Sequence, residues 1–509
     1  MTTLRLPELG RWPAPLVTLT LVALAVAGGL ALAGLPLIWA AILLFVALVV
    51  GLTWIDPLVG VGAVIFFGPF KPLTEYFAPS FPLDLGQWFL IFTVAAWLAG
   101  RVAHREAVLA RSPFILPAGL FILFATMSLA GAPSFQHGAR ELVKWLQLVA
   151  MVWLVIQIAG RRRWRWVVAV LLLTAIFQAG VGIWQFFRDR GPDHFLILDE
   201  RFYRAYGTFE QPNPYGGFIG LCFPLAVGLT IAALGSWLAR AREIRRAAFE
   251  RGRAGLAEWL VPLLNWQLLG VGLAAMLAGL LGTALAMSWS RGAWLGAAAG
   301  GLAMLFSWPR RLRLGGLLVA LSLVGGAYVL QSDLLPEAVI EQLQSMTEFF
   351  KSFDVRGADI NPDSYSVIER LAHWQSAVAI ARDYPWLGVG FGNYPVVYPD
   401  YAFPNWPLAL GHAHNYYLNI LAEVGLFGLS AYVALWVVVL WQTFRLTRSQ
   451  QVWTRGIAIG LLGAWVHFSV HNAVDSLWVS NLFLTIGALL GMQSILIMME
   501  RDTFRERLT

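Results

Sequence analysis

The sequence predicts an all-α, polytopic integral membrane protein, and three observations carry that prediction. Hydrophobic residues make up 58% of the 509 positions and charged residues only 13%, with a mean hydropathy of +0.66; a soluble chain carries roughly 25% charge. Apolar runs of about 20 residues, each long enough to cross a bilayer, recur from end to end. Arginines fall in clusters between those runs rather than evenly along the chain. The single cysteine, Cys222, sits inside an apolar run and excludes an intrachain disulfide.

Taken in order, the runs lie near 15–34, 37–54, 57–70, 86–103, 114–131, 142–159, 165–187, 213–235, 266–288, 292–307, 315–331, 413–441, 456–470 and 477–498. By the 20-residue rule these are about fourteen spans, within a range of roughly twelve to fourteen. The first follows Arg5 and Arg11 as a signal peptide would. It is long, lacks a small-x-small cleavage site and leads at once into another span, so it is expected to be a retained helix. The piece at 57–70 is short enough to be re-entrant. No internal repeat or soluble domain stands out. The expected organisation is N-terminal helices at 1–187, central helices at 188–331, a large loop at 332–412 and C-terminal helices at 413–509.

Orientation follows from the arginines. The groups Arg101–Arg111, Arg161–Arg165, Arg240–Arg253, Arg310–Arg313, Arg445–Arg455 and Arg501–Arg507 share one side if the spans alternate. The positive-inside rule makes that side the cytoplasm, with both termini. These loops account for the pI of about 9.7 without a nucleic-acid partner. Two long loops, 188–212 and 332–412, then lie outside, and loops of such length usually carry function. Arg140, Arg188, Arg190, Arg201, Arg204, Arg291, Arg356, Arg370 and Arg382 remain on that outer side, where topology does not explain them.

Polar groups gather at the same side. The stretch GHAHNYYLNILAEVGLFG, 411–428, opens a span with His412, His414 and Asn415. Asn415, Asn419 and Glu423 recur every four residues and form one polar helical stripe, which must face protein or a water-filled cavity. In HNAVDS, 471–476, His471 and Asp475 would share a face if that piece is helical. SWSRGAWLG, 288–296, sets Arg291 in a tight outer link. RFYRAYGTFEQPNPYGGF, 201–218, carries Arg204 and a helix start at Asn213 and Pro214. Arg370, in IERLAHW, begins a helix of the large loop that ends near PWLGVGFGN, 385–393. EAVIEQLQSMTEFF, 337–350, is amphipathic, either on the membrane surface or packed on its neighbours. Arginine forks suit phosphate oxygens, and a histidine suits proton abstraction from a hydroxyl. No DxD, HExxH or CxxC occurs, so no metal or other cofactor is expected. A transporter is the rival class, but it needs ionisable groups near the midplane. Only Glu423 and His467 lie so deep.

These motifs, in this order, resemble the O-antigen ligase and polymerase superfamily of bacteria over roughly 200–480. His414 and Asn415, then Gly425 and Gly428, match its histidine-asparagine and G-x-x-G pattern. Ser290, Arg291 and Gly292 match its SRG motif; Arg204, Gly207, Thr208, Phe209, Pro212 and Asn213 match its arginine and GTF…PN segment. Arg370, Trp374 and Pro385 to Gly390 match its loop, and His471 with Asp475 its later H…D pair. The resemblance implies a GT-C-like, metal-independent, inverting glycosyltransferase of the inner (cytoplasmic) membrane, working on its periplasmic or extracellular side. The donor is a polyprenyl pyrophosphate-linked oligosaccharide, and the acceptor a hydroxyl of a lipid or glycan: the lipid A core in ligases, another repeat unit in polymerases. On that reading Arg204 and Arg291 grip the pyrophosphate with help from Arg370, and His414 is the general base, with His412 as the alternative. Asn415, Asn213, His471 and Asp475 contact substrate, and Asp475 or Glu423 orients the base. Relatives described as bicarbonate transporters share the SRG and loop patterns.

Overall fold

The computed structural model describes residues 34, 36–77, 83–104, 112–188, 191–198, 200–251, 266–332, 334–344, 354–357 and 365–506. The expected first span, apart from Gly34, lies outside them, as do Arg5, Arg11, Arg105, Arg111, Arg190, Arg253, Arg507 and residues 345–350.

The helices are α1 (Leu37–Ile55), α2 (Pro57–Phe67, with a further turn Gly68–Phe70), α3 (Lys71–Phe77), α4 (Leu85–His104), α5 (Ile115–Ser128), α6 (Phe135–Leu154), α7 (Gly160–Phe187), α8 (Pro212–Glu250) and α9 (Trp266–Met287). They continue as α10 (Arg291–Ser307), α11 (Leu312–Gln331), α12 (Glu337–Gln344), α13 (Tyr365–Asp383), α14 (Tyr394–Val397), α15 (Tyr416–Leu446), α16 (Val452–His471) and α17 (Leu482–Glu506). Strands β1 (Leu196–Ile197) and β2 (Phe202–Tyr203) form a short antiparallel pair, Leu196 opposite Tyr203.

The chain is a multi-pass, all-α membrane protein. Among the described residues eight helical stretches are long and apolar enough to cross a membrane: α1, α4, α6 continued into α7, α8, α9, α11, α15 and α17. That is fewer than the fourteen runs in the sequence. The runs at 57–70 and 114–131 form shorter apolar helices, and α10 has 17 residues. A π-helical segment, Val155–Ala159, joins α6 to α7 and ends at Gly160, whose φ of 51° and ψ of −161° only glycine adopts freely. α16 carries Arg455, His467 and His471 yet is buried along most of its length. A helix surrounded by protein needs no lipid-compatible surface.

Glycines set the packing of that central helix. A Cβ at Gly460 of α16 would strike Pro224 O of α8, and one at Gly300 of α10 would strike Gly463 O of α16, each 2.5–2.6 Å away. Backbones this close need glycine, as in other membrane bundles.

The helix ends sort into two sets. At one end Arg310 donates to Ser449 O (3.4 Å), Arg448 to Pro309 O (2.8 Å), Arg455 to Thr447 O (3.2 Å) and Arg163 to Asp56 (2.6 Å), while Arg161 pairs with Asp502. Arg240, Arg242, Arg245 and Arg246 lie on α8 itself, which runs on to Glu250 instead of ending near 235. The opposite end gathers the N-termini of α6, α8, α10 and α15 with the C-termini of α7, α9 and α16. There Gln185 of α7 accepts from Gly207 N (2.7 Å), and Asn393 accepts from Ser134 N (2.8 Å).

Candidate active site

A cavity of about 450 Å³ opens at this second end. Its lining includes Arg204, Asn213, Trp289, Arg291, Gln342, Ser366, Arg370 and Asp475. They come from separate segments of the chain, and the three arginines in particular each have their own local cause. Arg204 lies in a loop stitched down by α7: Gln178 accepts from Thr208 N (3.0 Å), Gln185 from Gly207 N, and Thr208 Oγ1 donates to Pro69 O (2.9 Å). The GTF residues thus hold the loop that carries the arginine. Arg291 is the first residue of α10, where Ser290 caps the helix by accepting from Ala293 N (3.4 Å). Arg370 lies on α13, and its guanidinium donates to Ser366 O one turn earlier (2.7 Å). Ser366 Oγ accepts from Arg291 (3.2 Å), so one serine bridges two of the arginines.

A hydrogen-bonded chain runs beside them. Arg204 Nη2 donates to Asn213 Oδ1 (3.2 Å), which also accepts from Ser290 Oγ (2.9 Å). Asn213 Nδ2 donates to Asp475 Oδ2 (2.6 Å), and Asp475 Oδ1 pairs with His414 Nδ1 (3.2 Å). Arg370 Nη2 stands 3.9 Å from Asp475 Oδ2. His414 has a φ of 51°, a left-handed conformation costing a side-chain-bearing residue roughly 1–2 kcal/mol. Three bonds hold it there. Its N–H donates to His412 Nδ1 (3.1 Å), its carbonyl accepts from Trp374 Nε1 (3.1 Å), and its ring meets Asp475. His414 Nε2 is buried and has no hydrogen-bond partner among the described residues.

Charge in the site is unbalanced. Burial, with the nearby Arg370 and Arg291 guanidiniums, pushes Arg204 down to about 10, which still leaves it charged at neutral pH. Asp475 is buried, which by itself favours its neutral form. The His414 hydrogen bond, with His414 and Arg370 close by, outweighs that and holds its carboxyl well below the usual range. Burial and the His414 charge push His412 down to about 3 and His373 to about 4, so both are neutral imidazoles near pH 7. Three arginines and one aspartate therefore leave net positive charge around the cavity, the right sign for an anionic ligand.

His412, His414 and Asp475 also bring ligand-type atoms within 4.8 Å of one another. Both Asp475 oxygens are already engaged, Oδ1 by His414 and Ser476 N (2.9 Å) and Oδ2 by Asn213. A guanidinium stands beside the same carboxylate. The donor set fits a His–Asp hydrogen bond better than a cation cage.

Several expected residues sit elsewhere. α8 starts at Pro212, so Asn213 is a helical residue turned toward the site and not the helix's cap. Asn415 caps α15, its Oδ1 accepting from Tyr417 N and Leu418 N (both 3.1 Å), and it does not line the cavity. α16 ends at His471, so His471 and Asp475 do not share a helical face. His471 is buried under Gly292, where a Cβ would meet its ring, and only Asp475 reaches the cavity. Glu423 does not orient His414: it accepts from Tyr394 N (3.0 Å) and anchors the 385–394 loop. On α12, Gln342 donates to Trp289 O (3.1 Å) and accepts from Arg291 Nε (3.5 Å), so this helix packs over the site. His373 was not singled out in the sequence, although its ring lies 5.9 Å from that of His414. Ser366 is equally new, and its signal was its place one turn before Arg370.

Residues 274–433 match the family model described as O-antigen ligase. No curated protein matches the chain. The matched stretch contains Arg291 and Arg370, which line the cavity, and Trp374 and His414, which stand behind its lining; Arg204, Asn213 and Asp475 lie outside the matched stretch and line the cavity too. The resemblance drawn from the motifs is supported over residues 274–433, where the chain is similar to the O-antigen ligase family.

Proposed function

We propose that the protein transfers a glycan from an undecaprenyl pyrophosphate-linked donor to an acceptor hydroxyl at the outer face of the cytoplasmic membrane. The observation that carries this reading is the pairing of a three-arginine cavity with a His–Asp hydrogen bond, at the end of the bundle away from the other arginine clusters. Arg204, Arg291 and Arg370 hold the pyrophosphate oxygens. His414 Nε2 takes the acceptor's hydroxyl proton, and that oxygen attacks the anomeric carbon. The bond from that carbon to the pyrophosphate breaks as the new glycosidic bond forms, with inversion. Charge developing on the leaving pyrophosphate is stabilised by guanidiniums already in place, the electrostatic term that usually dominates such catalysis. Asp475 holds the Nδ1–H tautomer, so that Nε2 is the acceptor, and stabilises the imidazolium that forms.

Ligase and polymerase activities share this chemistry and differ in the acceptor hydroxyl. The transporter alternative draws on the broken helix α15, a feature of transporters. Here the break is filled by main chain: Val389 N donates to Ala422 O (3.0 Å) and Gly390 N to Glu423 O (2.9 Å). The carbonyls of Ala422 and Glu423 are thus taken up by main-chain donors rather than turned to a cavity, which favours the enzyme.

The test uses purified protein and a lipid-linked oligosaccharide donor. His414→Ala is expected to lose about 10²–10⁴-fold in transfer, the usual contribution of a general base, while still binding donor. His412→Ala is expected to lose much less, and transfer should persist in EDTA. Near wild-type transfer by His414→Ala, or activity lost in EDTA and restored by Mg²⁺, would sink the mechanism.

A further inference from the structure

At the arginine-rich end, a crevice of about 510 Å³ lies between the last turns of α15 and α17. Arg445, Arg448, Arg501 and Arg505 line it, together with the apolar Leu446 and Phe504. The positive-inside rule explains why arginines are on this side; it does not explain why four of them converge on one crevice. We propose that this crevice binds an anionic phospholipid, its phosphate held by the guanidiniums and its glycerol and upper acyl chains against the apolar wall.

Charge comes first. Glu500 is the one acid in the lining, and it accepts from Ser449 Oγ (2.6 Å). Neighbouring Asp502 is paired with Arg161 of α7. Four guanidiniums against one engaged carboxylate repel one another unless an anion sits among them. Arg448 uses Nη1 on Pro309 O, while its Nη2 has no hydrogen-bond partner among the described residues. Phosphate oxygens suit such forks.

Position comes second. α15 and α17 are both apolar enough to span a membrane, so the crevice opens where their apolar stretches give way to the headgroup layer. Phe504, on the rim, is 65% exposed. A free phosphate would satisfy the guanidiniums and leave this wall bare, whereas a phospholipid matches both. Basic pockets between spans bind anionic headgroups in this manner. The inference does not rest on glycan transfer, so its test stands or falls separately.

The test measures melting temperature of the purified full chain in a neutral detergent. Added phosphatidylglycerol is expected to raise it, and phosphatidylcholine or inorganic phosphate at equal concentration to leave it unchanged. In Arg445→Gln/Arg501→Gln/Arg505→Gln the rise should shrink by more than about half, the direction mass action requires when a ligand's affinity falls. Arg448 is kept because it holds Pro309. If the triple variant is not monodisperse, Arg505→Gln alone is examined by native mass spectrometry, where fewer retained phosphatidylglycerol molecules are expected. Undiminished response or retention in the variants overturns the proposal. An equal response to phosphatidylcholine overturns the headgroup assignment, and an equal response to inorganic phosphate overturns the lipid one.

Discussion

Asp475→Asn separates an orienting carboxylate from a merely buried one. Asp475 is 6% exposed and accepts hydrogen bonds on both oxygens. The substituted amide has two orientations. With its oxygen toward His414 and Ser476 N, its NH2 faces Asn213 Nδ2, a donor against a donor. Asn213 does not rotate freely to relieve this, because Arg204 and Ser290 both donate to its Oδ1. With its NH2 toward His414 instead, Nδ1 must become the acceptor, the proton moves to Nε2, and the base is lost. The equivalent change in a serine-protease triad lowers kcat by about 10⁴ for this tautomer reason. The whole general-base contribution is about 10²–10⁴-fold, or roughly 3–5 kcal/mol. That bounds the expected loss of kcat. Donor binding should move the other way or not at all, because Arg204, Arg291 and Arg370 lose the one carboxylate among the described lining residues and face a pyrophosphate with more net positive charge. The assay is single-turnover transfer with purified lipid-linked donor, alongside donor affinity and melting temperature for each preparation. Transfer within about threefold of wild type at saturating donor, in a variant that melts normally, would refute the orienting role.

Arg291→Lys keeps the charge but loses the fork that reaches Ser366 and the cavity together. Charge-assisted hydrogen bonds contribute about 1.5–3 kcal/mol, so donor affinity should fall roughly 10–100-fold; unchanged affinity would remove Arg291 from the clamp. Gly425→Ala forces a side chain onto φ 70°, ψ −166° and into the Trp386 main chain. It is expected to destabilise by at least about 1–3 kcal/mol, and a melting temperature equal to wild type would contradict that. His373, held by burial and the His414 charge at about 4 against an ordinary 6.5, takes up its proton in the unfolded chain first. Stability should therefore fall as pH drops from about 6.5 to about 4. His373→Gln should flatten that slope without abolishing it, since His412 titrates in the same sense; an unchanged slope would exclude His373 as a source.

Much of this fold is legible because lipid leaves the sequence few options: a spanning segment must be helical and apolar. All thirteen runs from 37 onward can be matched to helices on that ground alone, counting α16, whose polar residues its neighbours cover. Boundaries go astray where the lipid constraint ends. α8 continues through Arg240–Glu250 because alanine and arginine are good helix formers in water as well. The site residues stand out as polar groups in apolar runs, but their pairing does not. His414 and Asp475 are 61 positions apart and Asn213 and Asp475 are 262 apart, so no local periodicity joins them. The 471–476 segment misleads because i, i+4 spacing implies a shared face only inside a helix, and α16 stops at its first residue.

One loop helix sets the distance between the two halves of the proposed chemistry. α13 carries Arg370 toward the cavity and, one turn on, Trp374, whose indole fixes the His414 carbonyl. His373, between them, is pinned through Nδ1 to Tyr394 OH (2.9 Å), and Tyr394 N is in turn held by Glu423 of α15. Leu426 N donates to Pro385 O (2.8 Å) across the break in that helix. Gly388, at φ 67°, passes so close to the Glu423 main chain that a side chain there would collide with it. The PWLGVG turn is therefore a clasp: its glycines allow a loop to hydrogen-bond to an interrupted helix as a strand would to its neighbour. Of the polar stripe Asn415, Asn419 and Glu423, the last reaches this loop and the first two hold the turn that leads into α15. Asn415 caps the helix, Asn419 accepts from Ala413 N (3.0 Å), and Glu423 takes Tyr394. Polar residues at the mouth of an apolar helix thus hold the loop that places the arginine and the histidine, and His414 keeps its Nε2 without a partner among the described residues.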